Sequence, residues 1–370
     1  MVIFNMVYWS WWGTTPDYLC FAANTASSTV QLTQTWTPTA VTLETSTDGT
    51  NWTTYTIWDT ITLSNIWDKV FFRNTSETDT WFGIDSSNYY QFVMTWSIAW
   101  SWDTNYLLNK NSTTTVSSWC YYNLFRACTI LTTTPSLPAT TVADSCYRTM
   151  FYWCTSLTIA PELPATTLAS ACYRAMFSWC TNLTTVPQLT ATTLSDSCYY
   201  SMFYNCTSLT TVPQLPATTL ASYCYNSMFY WCTSLTAAPQ LPATTLADYC
   251  YRSMFYWCTS LTTATSLPAT TLGTSCYSSM FSWCTNLTAL PSLPATTLAD
   301  SCYNQMFYNC SKIKLSTTQT WEYQTAYRIP TTWTWTSWAS SLNNMFDWTW
   351  WTFTWVPTIN TTYYTSNTVV

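Results

Sequence analysis

Leu215-Pro-Ala-Thr-Thr-Leu-Ala-Ser-Tyr-Cys224-Tyr-Asn-Ser-Met228-Phe229-Tyr-Trp231-Cys232-Thr-Ser-Leu235-Thr-Ala-Ala-Pro239-Gln240 is one copy of a unit that recurs along the chain. Leu-Pro or a close variant returns at Leu137, Leu163, Leu189, Leu215, Leu241, Leu267 and Leu293, each 26 residues after the last. A half unit, Cys120 to Pro135, precedes the array. A degenerate one follows it, visible in Ile329-Pro330, Met345-Phe346 and Val356-Pro357. In-phase recurrence of this kind signals an architecture in which one copy cannot bury a core and stacked copies can.

Within a unit the pattern changes once. Leu-Thr-x-x-Pro and Ala-Thr-Thr-Leu are short, Thr-rich and proline-bounded, which predicts one short strand per copy in a parallel stack. From Asp144 to Cys154 the apolar residues Cys146, Met150 and Cys154 fall at i, i+4 and i+8, with Tyr147 and Phe151 beside them. That spacing predicts a short helix, capped by Asp144 or Ser145. The fold expected is a repeat solenoid of the leucine-rich type, with short parallel strands and short helical segments, preceded by a small all-β, sandwich-like module.

The units resemble the BspA-like leucine-rich repeats of bacterial surface proteins, whose phrase looks like Met-Phe-Tyr-Gly-Cys-Thr-Ser-Leu-Thr followed by Leu-Pro-Ala-Thr-Thr-Leu. The resemblance extends over residues 116–316. It implies a solenoid used for adhesion or recognition at a cell surface, and it implies no catalytic residue.

The segment before the array follows a different rule. Val30/Leu32, Val41/Leu43, Tyr55/Ile57 and Ile61/Leu63 alternate with polar residues at period two, and Asp48-Gly49 lies between two such runs as a hairpin signal. The division expected is a poorly ordered leader at 1–16, the β module at 17–103, and an N-terminal cap with the first half repeat at 104–133. The array then occupies 134–315, and a degenerate repeat and cap occupy 316–370.

Composition narrows the function. The net charge is -6 and charged residues make up only 7%, so no basic stripe is available to neutralise a nucleic-acid backbone. Histidine is absent, which removes the commonest general acid–base and metal ligand. No nucleophile elbow, zinc-protease motif or phosphate loop is present. The expectation is therefore no enzyme and no cofactor. The start of the chain reads as neither a secretion signal nor a membrane span.

The 17 cysteines resolve into pairs spaced C-x7-C, plus Cys20. On a helix such a pair would stand about 12 Å apart at ~1.5 Å per residue, beyond disulfide reach. The spacing does not suit zinc. Core thiols are the leading reading, with disulfides between copies as the alternative.

Glycine is scarce and tryptophan abundant, 4 against 25, where average usage predicts about 26 glycines. The residue before each second repeat cysteine is Ala127, Trp153, Trp179, Asn205, Trp231, Trp257, Trp283 or Asn309. Asn and Gly share a tolerance for left-handed backbone, and Asn and Trp share nothing of the kind. The expectation is that most of these tryptophans stand for glycine, as they would if UGA codons read as glycine had been rendered as tryptophan. Trp52, inside a strand pattern, is the exception. Taken literally, they would form one indole per copy on the surface, an aromatic ladder for sugars or lipid.

The function expected is recognition or adhesion by a monomeric, cell-surface or secreted protein. Its partner would be an extracellular protein or glycan, with no nucleic acid and no small-molecule cofactor. Contacts are assigned to the outward edge series Glu162, Gln188, Gln214 and Gln240. The alternatives are a structural spacer or coat component and a tryptophan-ladder carbohydrate binder.

Overall fold

The computed structural model describes residues 18–35, 41–75, 82–95, 98–101, 107, 115–329, 341–351, 357 and 361–370. The expected leader at 1–16, most of the link at 104–114, Pro330 and Val356 lie outside them.

The alternating segment forms two antiparallel sheets. β1 (Leu19–Ala23), β3 (Leu43–Ser46), β4 (Thr53–Tyr55), β6 (Lys69–Asn74) and β8 (Ile98–Ser101) make one, ordered β4-β3-β6-β1-β8. β2 (Ser28–Gln34), β5 (Thr60–Leu63) and β7 (Tyr90–Thr95) make the other, ordered β5-β2-β7. Phe92 of β7 meets Phe21 of β1 at 4.9 Å and Phe72 of β6 at 5.3 Å between ring centres, so the two sheets share one core. Val30, Leu32, Leu43 and Leu63 point into it, as their alternation predicts. Gly49, at φ 75°, turns the β3–β4 hairpin. The Asp48 carboxylate accepts the Thr50 and Asn51 amides, each at 2.8 Å, which lowers the pKa of Asp48 and fixes the loop.

The 26-residue period persists in the structure. Each copy places Cys, Tyr, Met, Phe, Cys and Leu in the core. In the copy quoted above these are Cys224, Tyr225, Met228, Phe229, Cys232 and Leu235, all essentially without solvent exposure. The same chemical positions superpose from copy to copy. Phe151, Phe177, Phe203, Phe229 and Phe255 stack nearly parallel at 5.6–5.7 Å. The tyrosines form a second such column, with Tyr199 and Tyr225 at 5.7 Å.

The helix expected over residues 144–154 does not form. The corresponding segment of every copy is a run of overlapping turns. In residues 195–206 alternate amides donate locally: Tyr200 to Ser197 (3.1 Å), Met202 to Tyr199 (3.2 Å), Tyr204 to Ser201 (3.1 Å) and Cys206 to Phe203 (3.2 Å). The amides between them cross to the next copy: Tyr199 to Cys224 (3.0 Å), Ser201 to Asn226 (2.9 Å), Phe203 to Met228 (3.0 Å) and Asn205 to Tyr230 (2.7 Å). An α-helix spends all its interior amides on its own chain; this coil spends half of them on its neighbour. Left-handed residues recur every fourth position (Ser197, Ser201, Asn205). The coil thus repeats at four residues and points Cys198, Met202 and Cys206 inward. In sequence, period four imitates i, i+4.

The extended part of each copy meets the next through single parallel bridges, such as Thr141 with Thr167 and Ile159 with Thr185. Asp144 caps no helix. Its carboxylate accepts the Ser170 amide of the following copy at 2.9 Å, and Asp196 and Asp248 do the same for Ser222 and Thr274.

Both ends of the array are covered. At the front, Phe92 of β7 stacks on Phe125 at 5.4 Å and donates its amide to Leu124 at 2.8 Å. At the back, Phe307 stacks on Phe346 at 5.3 Å, and Tyr303 and Phe307 donate their amides to Ser341 and Met345. β10 (Lys314–Ser316), β11 (Thr325–Arg328), β12 (Trp350–Trp351) and β13 (Thr362–Thr365) form a closing sheet ordered β11-β13-β10-β12. β14 (Thr368–Val369) pairs in parallel with β9 (Ala289–Leu290) of the array.

Candidate recognition face

The turn coil positions side chains strictly. Its inward residues are apolar, and the residues between them emerge on a surface whose columns run across copies. One column holds Tyr152, Tyr204, Tyr230, Tyr256 and Tyr308, all half-buried. Tyr204, Tyr230 and Tyr256 lie face to face at 4.8 and 4.5 Å. Desolvation raises the pKa of all three.

Arginine also lies over tyrosine rings, Arg126 over a member of that column and the others over Tyr122, Tyr200 and Tyr249. Arg126, Arg148, Arg174 and Arg252 are the cations between residues 116 and 310, and all four sit over rings. Arg174 stands 4.3 Å from the centre of Tyr200, and Arg126 is 5.4 Å from Tyr152. A guanidinium over an aromatic face is held by the ring quadrupole, by about 0.5–1 kcal/mol at an exposed site. The rings therefore organise the charge without neutralising it.

Glu162, Gln188, Gln214 and Gln240 occupy one exposed column on the extended segment, each between a buried proline and a buried leucine. The structure brings them into register, as their spacing predicts, but on a different segment from the tyrosines. The tyrosine and arginine columns were not among the residues singled out from sequence. Their 26-residue recurrence was the available signal.

The cysteines are buried thiols, none joined in a disulfide. The second thiol of each copy donates to the phenylalanine carbonyl of the preceding copy: Cys206 to Phe177 at 3.2 Å, Cys232 to Phe203 at 3.1 Å. The distance argument that rested on a helix lapses with the helix. Burial itself keeps these groups protonated, pushing Cys180 and Cys232 up to about 12, and a protonated buried thiol is a poor nucleophile. Among the described residues no three His, Cys, Asp or Glu side chains are grouped to hold a metal ion, and no helix is long and apolar enough to cross a membrane.

No family model, curated protein or solved structure matches the chain.

Proposed function

We propose that this chain is a non-catalytic recognition protein, its array a solenoid of the BspA-like leucine-rich type presented outside the cell to a protein or glycan. One observation carries the reading: the columns of half-exposed tyrosine with arginine that cross successive copies on the turn face. Tyrosine and arginine are enriched where binding energy concentrates. A tyrosine ring offers apolar area and a polar tip with few rotamers to freeze. Rings already stacked on their neighbours have lost that freedom before a partner arrives, so little ordering remains to oppose binding.

The turn face is preferred to the Glu162–Gln240 column because isolated polar side chains at a strand edge are well solvated and yield little on contact. The test is a binding screen of the intact chain against extracellular glycoproteins and glycans, repeated with two triple variants. Tyr204→Ala/Tyr230→Ala/Tyr256→Ala should weaken capture at least about tenfold, the effect of losing ~1.4 kcal/mol. Gln188→Ala/Gln214→Ala/Gln240→Ala should change it little. Equal loss in both variants would move the contact to the extended segment. No ligand for the parent chain would leave the spacer or coat role as the better account.

A further inference from the structure

Nine described tryptophans have φ between 61° and 78°: Trp58, Trp67, Trp119, Trp153, Trp179, Trp231, Trp257, Trp283 and Trp348. Each is also the third residue of a turn closed by an amide-to-carbonyl bond from the fourth residue to the first. Asp59 donates to Thr56, Asp68 to Asn65, Cys120 to Ser117, Cys154 to Phe151 and Thr349 to Phe346, and the remaining repeat tryptophans follow Cys154. Positive φ at the third turn position is the type II requirement, and glycine or asparagine meets it. A bulky side chain there is a genuine outlier.

Positive φ alone does not single out tryptophan in this fold. The other two left-handed columns of the coil hold mostly serine, with alanine, threonine, asparagine, glutamine, two tyrosines and Trp119 at the front of one of them. Three comparisons do single it out. The column of Trp153 holds, beside its tryptophans, Asn205 and Asn309 at φ 57° and 55° and Ala127 at φ 59°. No phenylalanine adopts positive φ among the described residues, and of the tyrosines only Tyr223 and Tyr249 do. Trp58 and Trp67 lie outside the repeat in unrelated turns and still have positive φ, with 55% and 62% exposure, and Trp348 takes the equivalent turn of the degenerate last copy with 70% exposure.

Trp52 supplies the contrast. It lies outside this set, packs edge-on to Tyr18 at 4.7 Å and carries the Arg73 guanidinium 4.1 Å over its ring. That is a site built for an indole. The exposed indole stripe expected of the repeat is met only in part: Trp153 is 51% exposed, whereas Trp179, Trp231, Trp257 and Trp283 are half-buried. They lean on one another and on the tyrosines, with Trp257 and Trp283 stacked at 4.7 Å and Trp231 edge-on to Tyr204. Lateral leaning accommodates a side chain; it does not supply the backbone reason that recurs at all nine positions.

We propose that these nine positions are glycine in the native protein, encoded by UGA codons that the source reads as glycine. The native turn face is then a tyrosine–arginine surface without indoles. The recognition reading stands on tyrosine and arginine and does not depend on this proposal, and either can fail alone.

The test is peptide mass mapping of the protein isolated from its own cell. Peptides spanning the nine positions should each be lighter than the printed sequence by the difference between an indolylmethyl group and a hydrogen, while the peptide containing Trp52 keeps its full mass. Tryptophan mass at a majority of the nine overturns the proposal. A recombinant pair gives an independent reading: the printed chain against a chain with glycine at the nine positions. The glycine chain should melt higher and remain more soluble. An equal or higher melting temperature for the printed chain counts against glycine.

Discussion

A thiol, not a methyl, ends each turn run because the phenylalanine carbonyl behind it has a lone pair to spare. Phe203 already accepts the Cys206 amide at 3.2 Å, and the Cys232 thiol takes the remaining site at 3.1 Å. Cysteine is small and apolar enough for a full core, and it donates weakly where serine would cost more to desolvate. The same burial creates a pH liability. Cys172, Cys180, Cys224, Cys232 and Cys302 are pushed from 9.0 up to about 12. A raised acid pKa means the folded state keeps protons that the unfolded state releases above about pH 9, so stability is intact below that pH and falls as pH rises toward 12. Five such groups lose on the order of 7 kcal/mol per pH unit once the unfolded thiols ionise, comparable with the ~5–15 kcal/mol that holds a typical domain. A pH titration followed by circular dichroism should show cooperative unfolding well before pH 12, and a fold intact at pH 12 would contradict it. At neutral pH a thiol reagent should label few cysteines until denaturant is added.

At the scale of the element, much of the repeat was legible and its backbone was not. Leu157, Leu183, Leu209, Leu235, Leu261 and Leu287 were readable as one buried column, and all have 0% exposure. The spacing of Cys146, Met150 and Cys154 was read correctly as an inward face and wrongly as a helix, because a coil of paired turns and an α-helix both return a side chain inward after four residues. What separates them is the left-handed residue every fourth position, a demand that serine, threonine and asparagine disguise and glycine would have announced. The tyrosine column was overlooked for a related reason: on a helix, Tyr152 and its equivalents fall off the apolar face and attract no notice. Two measurements follow. The far-UV spectrum should lack the helical double minimum despite the helix-like spacing. Phe203→Ala, which removes a ring stacked on both Phe177 and Phe229, should destabilise the chain by about 3–5 kcal/mol in a denaturant titration. Asp196→Ala removes one exposed bond to the Ser222 amide and should cost only about 1 kcal/mol. Similar losses would mean that the bonds between copies, not the ring column, hold the array.

For the whole molecule, the β module is more than a neighbour of the array. A repeat stack is open at each end, and its terminal copy exposes half a core unless something polar on its outer side covers it. Here Phe92 takes the place of one more phenylalanine in the column, since it stacks on Phe125 with 8° between the rings. Its carbonyl accepts the Cys128 thiol at 3.1 Å, as the carbonyl of Phe125 accepts that of Cys154. β7 therefore acts as the first rung while it pairs with β2 on its other side, and the array in turn covers an edge that would invite strand addition. The bridge from Ile98 to Leu131 adds a second point of attachment through the other sheet. The alternation over residues 17–103 predicts a small β module before the array, and its composition gives no sign that one strand serves two cores. Removing residues 1–112 should therefore leave Phe125, Cys128 and Leu131 facing water, each of which is buried in the intact chain. Exposing one phenylalanine or leucine forfeits about 1.5–3 kcal/mol, and a contiguous apolar end is a surface that soluble monomers rarely tolerate. The truncated chain should elute as oligomers or aggregates on size exclusion and melt well below the parent. If it runs as a monomer with an unchanged melting temperature, the array closes its own front end and β7 is only a neighbour.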